Sequence, residues 1–179
     1  IASKYKASRL NGIKSQYVFF STMGVYDAGK SLKGCVIDEN TPVSMKNNSM
    51  YSRSKLMAEK GLSQLQESTF DVAFVRPPSV YGKGCKGGYI TGFKDIACKL
   101  PIIPHAYEKA IQSFIYIDNL SECIRVIVEN HLKGKFCPQD DEIPNANRLL
   151  EVICIGIGKK YRSSKFLGNC LKMCSFIPL

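Results

Sequence analysis

The sequence lacks any long run of apolar residues. Its longest runs, such as residues 17–20 and 114–117, fall far short of the ~20 residues that a transmembrane helix needs. No segment is repeated and none is of low complexity. With 45% hydrophobic and 22% charged residues, the composition excludes disordered, collagen-like and coiled-coil chains. The 179 residues therefore predict one domain, or part of one, with a substantial core.

Acidic residues are scarce. The sequence has 15 Asp and Glu but 25 Lys and Arg, which gives a net charge of +10 at pH 7. A basic balance favours anionic partners such as phosphates and nucleotides. The sequence has no RNP-type motif, no zinc-finger spacing and no Arg-rich helix. We therefore predict neither a nucleic-acid partner nor a membrane partner.

No CxxC pair occurs among the eight cysteines, and no His lies near Cys170 and Cys174 to complete a zinc site. Several cysteines stand among aliphatic residues, as Cys98 and Cys123 do. This pattern favours buried, reduced thiols in a cytoplasmic protein, without a metal site.

Strand and helix patterns alternate along the chain. Apolar runs predict strands at residues 17–20, 70–75, 113–117 and 135–137. Helical spacing predicts helices at about residues 49–66 and 91–99, a third capped by Asp118, and a fourth at 145–157. Long loops are predicted at residues 27–50 and 82–88. The alternation predicts an α/β fold whose parallel strands are covered on both faces.

One segment, Gly24–Ser31, matches the P-loop pattern GxxxxGK[ST] and follows a predicted strand. Residues 114–118 match the apolar run plus Asp that accompanies such loops. A P-loop opens a helix at its Lys and Ser, and that helix holds the phosphates. The residues after Lys30 and Ser31 show no amphipathic helix. A P-loop NTPase stays open as an alternative, and it requires a helix that starts at Lys30.

A second nucleotide-like pattern, GxGxxG, occupies residues 82–87. A dinucleotide fingerprint needs its glycines in the tight turn that leaves a strand. Here residues 77–81 separate the glycines from the strand that ends near Arg76. The segment is therefore interpreted as a loop, whose Lys83 and Lys86 either meet a phosphate or are exposed to solvent.

A third constellation joins Tyr51 and Lys55, which are four residues apart on a predicted helix and so face the same way. An ammonium beside a phenol favours the phenolate and makes the phenol a usable general base near neutrality. The strand that ends at Thr22 can direct a hydroxyl into the same space. The alternative is an incidental pair on an amphipathic helix, in a non-catalytic module that binds an anionic polymer.

Four segments in this order resemble the NAD-dependent epimerase/dehydratase family of extended short-chain dehydrogenases, typified by UDP-glucose 4-epimerase. They are YVFFSTMGVY (17–26), YSRSKLMAE (51–59), RPPSVYG (76–82) and SFIYIDNL (113–120). The resemblance implies the C-terminal part of a Rossmann-type doubly wound parallel sheet, plus part of a small substrate-binding domain. Residues 1–82 would be the later half of the NAD-binding domain. Residues 83–179 would be mostly substrate-binding, with residues 113–131 returning to the Rossmann core.

The same resemblance implies roles for individual residues. Tyr51 would be the catalytic base, Lys55 would hold the nicotinamide ribose, and Thr22 would hydrogen-bond the sugar hydroxyl that is oxidised. The implied cofactor is NAD, bound by Phe20, Ser21, Tyr51, Lys55, Pro78, Ser79 and Val80. The implied substrate is a nucleotide sugar, contacted by Thr22, Ser79, Gly88 and Tyr89. No metal is implied.

The implied reaction is an epimerisation. Tyr51 takes a proton from the sugar while hydride passes to NAD, the keto sugar turns over, and hydride returns to its other face. Because Met23 and Gly24 follow Thr22, where sugar dehydratases carry Asp and Glu, dehydration is disfavoured. A reductase or dehydrogenase of the same family stays open. Asp27 departs from the family, which usually has Gly there.

The first residue is Ile1 rather than Met, and no Gly-rich NAD fingerprint lies among the 16 residues before the first predicted strand. We therefore expect a fragment that is inactive alone and binds NAD poorly. The absence of a signal peptide then carries no weight. The full-length protein is expected to be homodimeric.

Overall fold

The structure, a computed structural model, describes residues 2–26, 36–46, 48–105 and 111–175, with residues 2 and 171–175 described by their backbone alone. The helices in this part of the chain are α1 (Ala2–Asn11), α2 (Met50–Ser63), α3 (Gly88–Lys99), α4 (Ile117–Glu129), α5 (Ala146–Gly156) and α6 (Lys165–Ser175). The strands are β1 (Ser15–Phe20), β2 (Phe70–Val75), β3 (Ser79–Tyr81), β4 (Ile103–Pro104), β5 (Phe114–Tyr116), β6 (Gly134–Phe136) and β7 (Ser163–Ser164). A 3₁₀ turn, Met23–Val25, follows β1.

The chain divides into two compact units. Unit 1 comprises Ile1–Val80 and Ile115–Gln139, and unit 2 comprises Tyr81–Phe114 and Asp140–Leu179. In unit 1, three parallel strands form a sheet in the order β1-β2-β6. Ser15 of β1 pairs with Phe70 of β2, and the register continues to Phe20 opposite Val75.

The central strand β2 is buried at all six positions because helices cover both faces of the sheet. On one face, Phe70, Val72 and Phe74 pack with Leu62 of α2. On the other, Ala73 and Val75 pack with Ile115 and with Leu120 and Ile127 of α4. This confirms the predicted α/β fold, in which a continuous apolar run marks a doubly covered parallel strand.

Unit 2 has its own core, in which Ala97 of α3, Ile103 of β4, and Leu150 and Cys154 of α5 pack together. The short strands β4 and β7 pair in parallel. A Cβ at Gly168 of α6 would lie 2.3 Å from the carbonyl oxygen of His105, so this close approach requires glycine.

Several predicted boundaries hold, since β2 spans the predicted residues and Ser49 and Asn145 cap α2 and α5. Other predictions are wrong. Asp118 does not cap α4, because the helix begins at Ile117 and Asp118 lies in its first turn, where a carboxylate is favourable. Cys98 is exposed rather than buried, because its neighbour Ala97 takes the core-facing position.

The end of β2 is joined to α2 by a buried ion pair. Arg76, 1% exposed, donates through Nε to Glu59 Oε1 at 3.0 Å and through Nη2 to Glu59 Oε2 at 2.5 Å. Its Nη1 donates to the Tyr26 hydroxyl at 2.8 Å. Burial alone would lower the pKa of the Arg76 guanidinium, but the hydrogen bonds to Glu59 and Tyr26 outweigh it and raise the pKa.

A second buried carboxylate, Asp71, lies at the start of β2. Lys14 and Lys133 approach its two oxygens, each at 3.2 Å, from the starts of β1 and β6. Burial alone would raise the pKa of the Asp71 carboxyl, but hydrogen bonds from Lys133 and Lys14 outweigh it and lower the pKa. The three strands are therefore tied together at this end by one carboxylate.

Replacing Glu59 by Gln leaves the Arg76 guanidinium buried opposite a neutral partner. Breaking one side of a buried pair is costly, so we expect the free energy of unfolding to fall by about 3 kcal/mol. Equilibrium urea denaturation measures this loss. Glu122→Gln, which breaks an exposed pair with Arg125, is the matched control and should change little. Equal effects of the two variants would contradict the role given to Glu59.

Replacing Asp71 by Asn should make stability less sensitive to acid. Because the folded-state pKa of Asp71 is lowered, its contribution is complete above the ordinary Asp pKa and is lost as pH falls through the folded value. The urea midpoint of the wild type should therefore fall more than that of Asp71→Asn between about pH 6 and about pH 3. Asp95→Asn, at an exposed position of α3, serves as the control and should resemble the wild type.

Candidate active site

The first turns of α2 carry Tyr51 and Lys55. The Ser49 hydroxyl caps this helix by accepting a hydrogen bond from the Ser52 N–H at 3.1 Å. Tyr51 is 59% exposed, which leaves its phenol open to a ligand. Lys55 Nζ lies 5.7 Å from the centre of the Tyr51 ring. The two side chains therefore share one face of α2, as their spacing predicts.

Lys55 is also held by the end of β1. Its Nζ donates to the carbonyl oxygen of Phe20 at 2.7 Å and lies 5.1 Å from the centre of the Phe19 ring. Phe20 thus contributes its backbone to this site, while its own ring is partly exposed.

The backbone of Thr22 is fixed by hydrogen bonds of the residues immediately before and after it. Directly after β1, the Ser21 N–H donates to the O of Val75, the last residue of β2, at 2.7 Å, and the Met23 N–H donates to Pro77 O beyond β2 at 3.0 Å. The Thr22 hydroxyl oxygen accepts from the Gly24 N–H at 3.1 Å, which caps the 3₁₀ turn. Its O–H can therefore still donate to a ligand.

Ser21 is 4% exposed, and its hydroxyl has no hydrogen-bond partner among the residues that the structure describes. A buried hydroxyl without a partner calls for an explanation. Here it stands at the carboxyl end of β1, beside Thr22 and next to the carbonyl that holds Lys55. A bound polar group at this strand end would satisfy it.

Helix α2 and the turn after β1 approach each other closely at Gly24. A Cβ on Gly24 would lie 2.6 Å from Ser52 Oγ and 3.5 Å from Thr22 Oγ1. The close approach brings the Tyr51 end of α2 against the Thr22 turn. The structure thus brings Thr22, Tyr51 and Lys55 into one region of unit 1.

The predicted cofactor residues Pro78, Ser79 and Val80 follow the end of β2. Pro78 and Ser79 are half-buried, and Val80 is at the margin of exposure. The hydrogen bond from Met23 to Pro77 places this segment beside the Thr22 turn. The sequence predicts that residues 77–81 only separate a strand from the Gly-rich loop, whereas Ser79–Tyr81 form β3.

The predicted substrate residues Gly88 and Tyr89 belong to unit 2. Gly88 begins α3 with φ +79°, a left-handed conformation that favours glycine. Tyr89 is exposed, and its ring contacts those of Phe93 and Phe114 at centre-to-centre distances of 5.6 and 6.5 Å. The nearby side chains of Lys83 and Lys86 are exposed.

Unit 2 also contains a cavity of about 180 Å³, lined by Tyr81, Ile90, Phe114, Asp140, Glu142, Pro144, Arg148, Leu149 and Val152. Most of its walls are apolar. Its guanidinium, Arg148, donates to Glu151 at 2.8 Å, and the Tyr81 hydroxyl donates to Asp140 at 2.9 Å. With two carboxylates and a paired cation, this lining suits an apolar group better than a diphosphate.

The structure tests one of the two nucleotide-like patterns and leaves the other untested. Lys30 and Ser31 of the P-loop pattern lie outside the described residues, so the helix that this alternative requires is not tested. The GxGxxG segment lies directly between β3 and α3, closer to a strand than predicted. However, β3 pairs with β5 and is not a strand of the parallel sheet β1-β2-β6. The segment therefore lacks the setting of a dinucleotide fingerprint.

The residues that pack behind the site are not among those predicted from the sequence. Tyr26 is buried, donates its hydroxyl to Asp38 O at 2.8 Å and lies 3.1 Å from Cys137 Sγ. Burial, together with the Cys137 contact, raises the pKa of Tyr26 to about 12 although Arg76 opposes the shift. The available signal was Arg76 itself, a charged residue directly after a buried apolar strand.

Across the described parts of the chain, no group of three His, Cys, Asp or Glu side chains could hold a metal ion. Nor is any helix in those parts long and apolar enough to cross a membrane.

Residues 5–136 match the model of the NAD dependent epimerase/dehydratase family. The chain belongs to this family. The match spans the Thr22 turn, α2 and the end of β2, so the resemblance drawn from the four sequence segments is confirmed. NAD is the cofactor of the family.

Solved structures of epimerases and reductases share the fold. They include UDP-glucose 4-epimerase of Thermus thermophilus in complex with NAD (23% identity, TM-score 0.67, 89% of this chain and 53% of that chain). The UDP-Glc/GlcNAc 4-epimerase of Campylobacter jejuni has 17% identity and a TM-score of 0.69, over 91% and 55% of the two chains. The dTDP-4-dehydrorhamnose reductase of Bacillus anthracis str. Ames, in complex with NADP, has 20% identity and a TM-score of 0.66, over 89% and 52%.

The chain spans about half the length of these structures. No curated protein sequence matches it. The predicted Rossmann-type architecture is confirmed by these structural matches.

Replacing Gly24 by Ala tests the close approach of α2 to the Thr22 turn. The added Cβ would collide with Ser52 Oγ, so we expect a loss of about 1–3 kcal/mol in the free energy of unfolding. Adding Ser52→Ala removes the colliding oxygen and should restore most of that loss. Gly61→Ala, in the same helix with nothing within 4 Å, is the control and should not destabilise. Denaturant titration of these variants would refute the contact if the double variant showed no recovery.

Proposed function

We propose that this chain is the catalytic portion of an NAD-dependent nucleotide-sugar epimerase of the UDP-sugar 4-epimerase type. The observation that carries the proposal is the hydrogen bond from Lys55 to Phe20 O, which joins the Tyr51 helix to the strand end that bears Thr22. A family member with a phenol, an ammonium and a hydroxyl in one region has the groups needed for proton transfer at a sugar alcohol.

Each unit is given a role in this proposal. Unit 1 is the later half of the NAD-binding domain, since it carries the parallel sheet and the Tyr51 site. Unit 2 is the larger part of the substrate-binding region. Its cavity would take an apolar part of the nucleotide sugar, while Gly88, Tyr89 and the exposed Lys83 and Lys86 would meet polar and anionic parts.

The residues of unit 1 fit the nicotinamide end of NAD. Lys55 would bind the ribose hydroxyls, the unpartnered Ser21 hydroxyl would gain a hydrogen bond, and Pro78, Ser79 and Val80 would border the ring. Phe20 and the exposed Tyr51 complete this surface. When bound, NAD would supply a reversible hydride acceptor, which no side chain can provide.

The side chains divide the remaining work. The Tyr51 phenolate takes the proton from the sugar hydroxyl and returns it after the keto sugar has presented its other face. The Lys55 ammonium stabilises the phenolate charge. The Thr22 hydroxyl donates to the sugar oxygen, and the anchored backbone on both sides of Thr22 fixes that donor.

A reductase or dehydrogenase of the same family is the second candidate, favoured by the similarity to the dTDP-4-dehydrorhamnose reductase. Dehydration is disfavoured, because Met23 and Gly24 carry no acid or base after Thr22. The six cysteines whose side chains the structure describes are free thiols, which supports a cytoplasmic protein. That the full-length protein is a homodimer stays a prediction.

The test compares this chain with a version extended upstream, by titrating NAD and NADP and by assaying UDP-sugar epimerisation. We expect weak NAD binding by the chain alone, and activity in the extended protein. Tyr51→Phe in the extended protein should lower kcat by about a hundredfold or more, because the general base is lost.

Tyr17→Phe is the matched control, since Tyr17 is a half-buried tyrosine of β1 outside the site, and it should keep full activity. Turnover that survives Tyr51→Phe would refute the assigned base. A folded, extended protein that neither binds NAD nor turns over a sugar would refute the proposal that this protein is an NAD-dependent enzyme. Net reduction of a keto sugar without epimerisation would establish the second candidate.

A further inference from the structure

We propose that Phe19 is a positioning residue that holds the Lys55 ammonium beside Tyr51 through a cation–π contact. The contact itself is a feature of the described structure. Its consequence for the reaction rests on the proposed function.

The reason lies in how few groups hold Lys55. Within the described residues, its ammonium forms no ion pair with a carboxylate. Its polar partner is the Phe20 carbonyl oxygen at 2.7 Å. A lysine side chain is flexible, and a single hydrogen bond leaves the ammonium free to swing about its acceptor. A second contact is needed to hold the Lys55 ammonium in one position beside Tyr51.

Phe19 supplies this second contact. Its ring centre lies 5.1 Å from Lys55 Nζ, within the range in which a cation is attracted to a ring face. Tyr51 offers a ring at 5.7 Å, but that ring is exposed. The Phe19 ring is half-buried and meets the ring of Phe74 edge-on, at 6.4 Å and 76°.

Phe74 in turn is buried in β2, the central strand of the sheet. The sheet therefore fixes the Phe19 ring, and the ring together with the Phe20 carbonyl fixes the ammonium. This arrangement presents the charge to the same side of α2 as the Tyr51 phenol. Phe19 acts on the reaction only through Lys55, and it has no assigned contact with substrate.

The contact can be tested without any activity, by NMR of the 179-residue chain with ¹³C-labelled lysine. An ammonium over a ring face places the neighbouring methylene protons in the ring current, so the Lys55 Hε signals should lie upfield of those of exposed lysines. Lys55→Arg assigns these signals. Phe19→Leu should move them to the ordinary position, and Phe19→Tyr should keep them shifted.

Tyr17→Leu is the matched control, because Tyr17 lies on the same face of β1 and packs in the same core cluster as Phe19. It should leave the Lys55 signals unchanged. Phe19→Met supplies the same test if Phe19→Leu fails to fold. An unshifted Lys55 signal in the wild type, or a shift that survives loss of the ring, would overturn the proposal.

The second arm uses the extended protein. In the extended protein, Phe19→Leu removes a partly exposed cation–π contact. It should lower kcat about two- to fivefold, equivalent to ~0.5–1 kcal/mol. Phe19→Tyr, which keeps a ring beside the ammonium, should restore kcat. A ring-current shift in a protein without turnover would refute the proposed function and leave the contact standing. Turnover unaffected by Phe19→Leu would refute the positioning role.

Discussion

The buried Arg76 guanidinium is the interaction on which the arrangement of unit 1 depends. It carries a charge directly beyond β2 and meets the Glu59 carboxylate of α2 and the Tyr26 hydroxyl after the 3₁₀ turn. Three segments distant in sequence are thus brought to one charge that cannot be left unpaired. The Thr22 turn and α2 are both anchored from behind, which explains why the candidate site can face outward with few contacts of its own.

Much of unit 1 could be predicted from the sequence, because its signals are local. The largely apolar run of β2 predicts a doubly covered strand, and the helical spacing from about residue 49 predicts α2. Tyr51 and Lys55 share a face because a helix places residues four apart together. The family also follows from four segments that keep their order along the chain.

Other features could not be predicted, because they depend on distant contacts. The three residues of β3 follow two prolines, and β4 and β7 have two residues each, too few for a pattern. The charge of Arg76 is visible in the sequence, but its partners are not. The contact of Lys55 with Phe19 requires a strand and a helix to lie side by side, and the residue spacing within either element does not predict it.

The hydrogen bonds from Ser21 and Met23 carry the pairing of β1 and β2 past the ends of both strands. The backbone of Thr22 is thus attached on both sides to the parallel sheet of unit 1, while the Tyr51 side chain is exposed and can adopt several rotamers. When a substrate is bound, the loss of conformational entropy would fall mainly on Tyr51 and hardly on Thr22. Under the proposed function, the site would combine a Thr22 donor whose position is set on folding with a Tyr51 base whose conformation is set on binding.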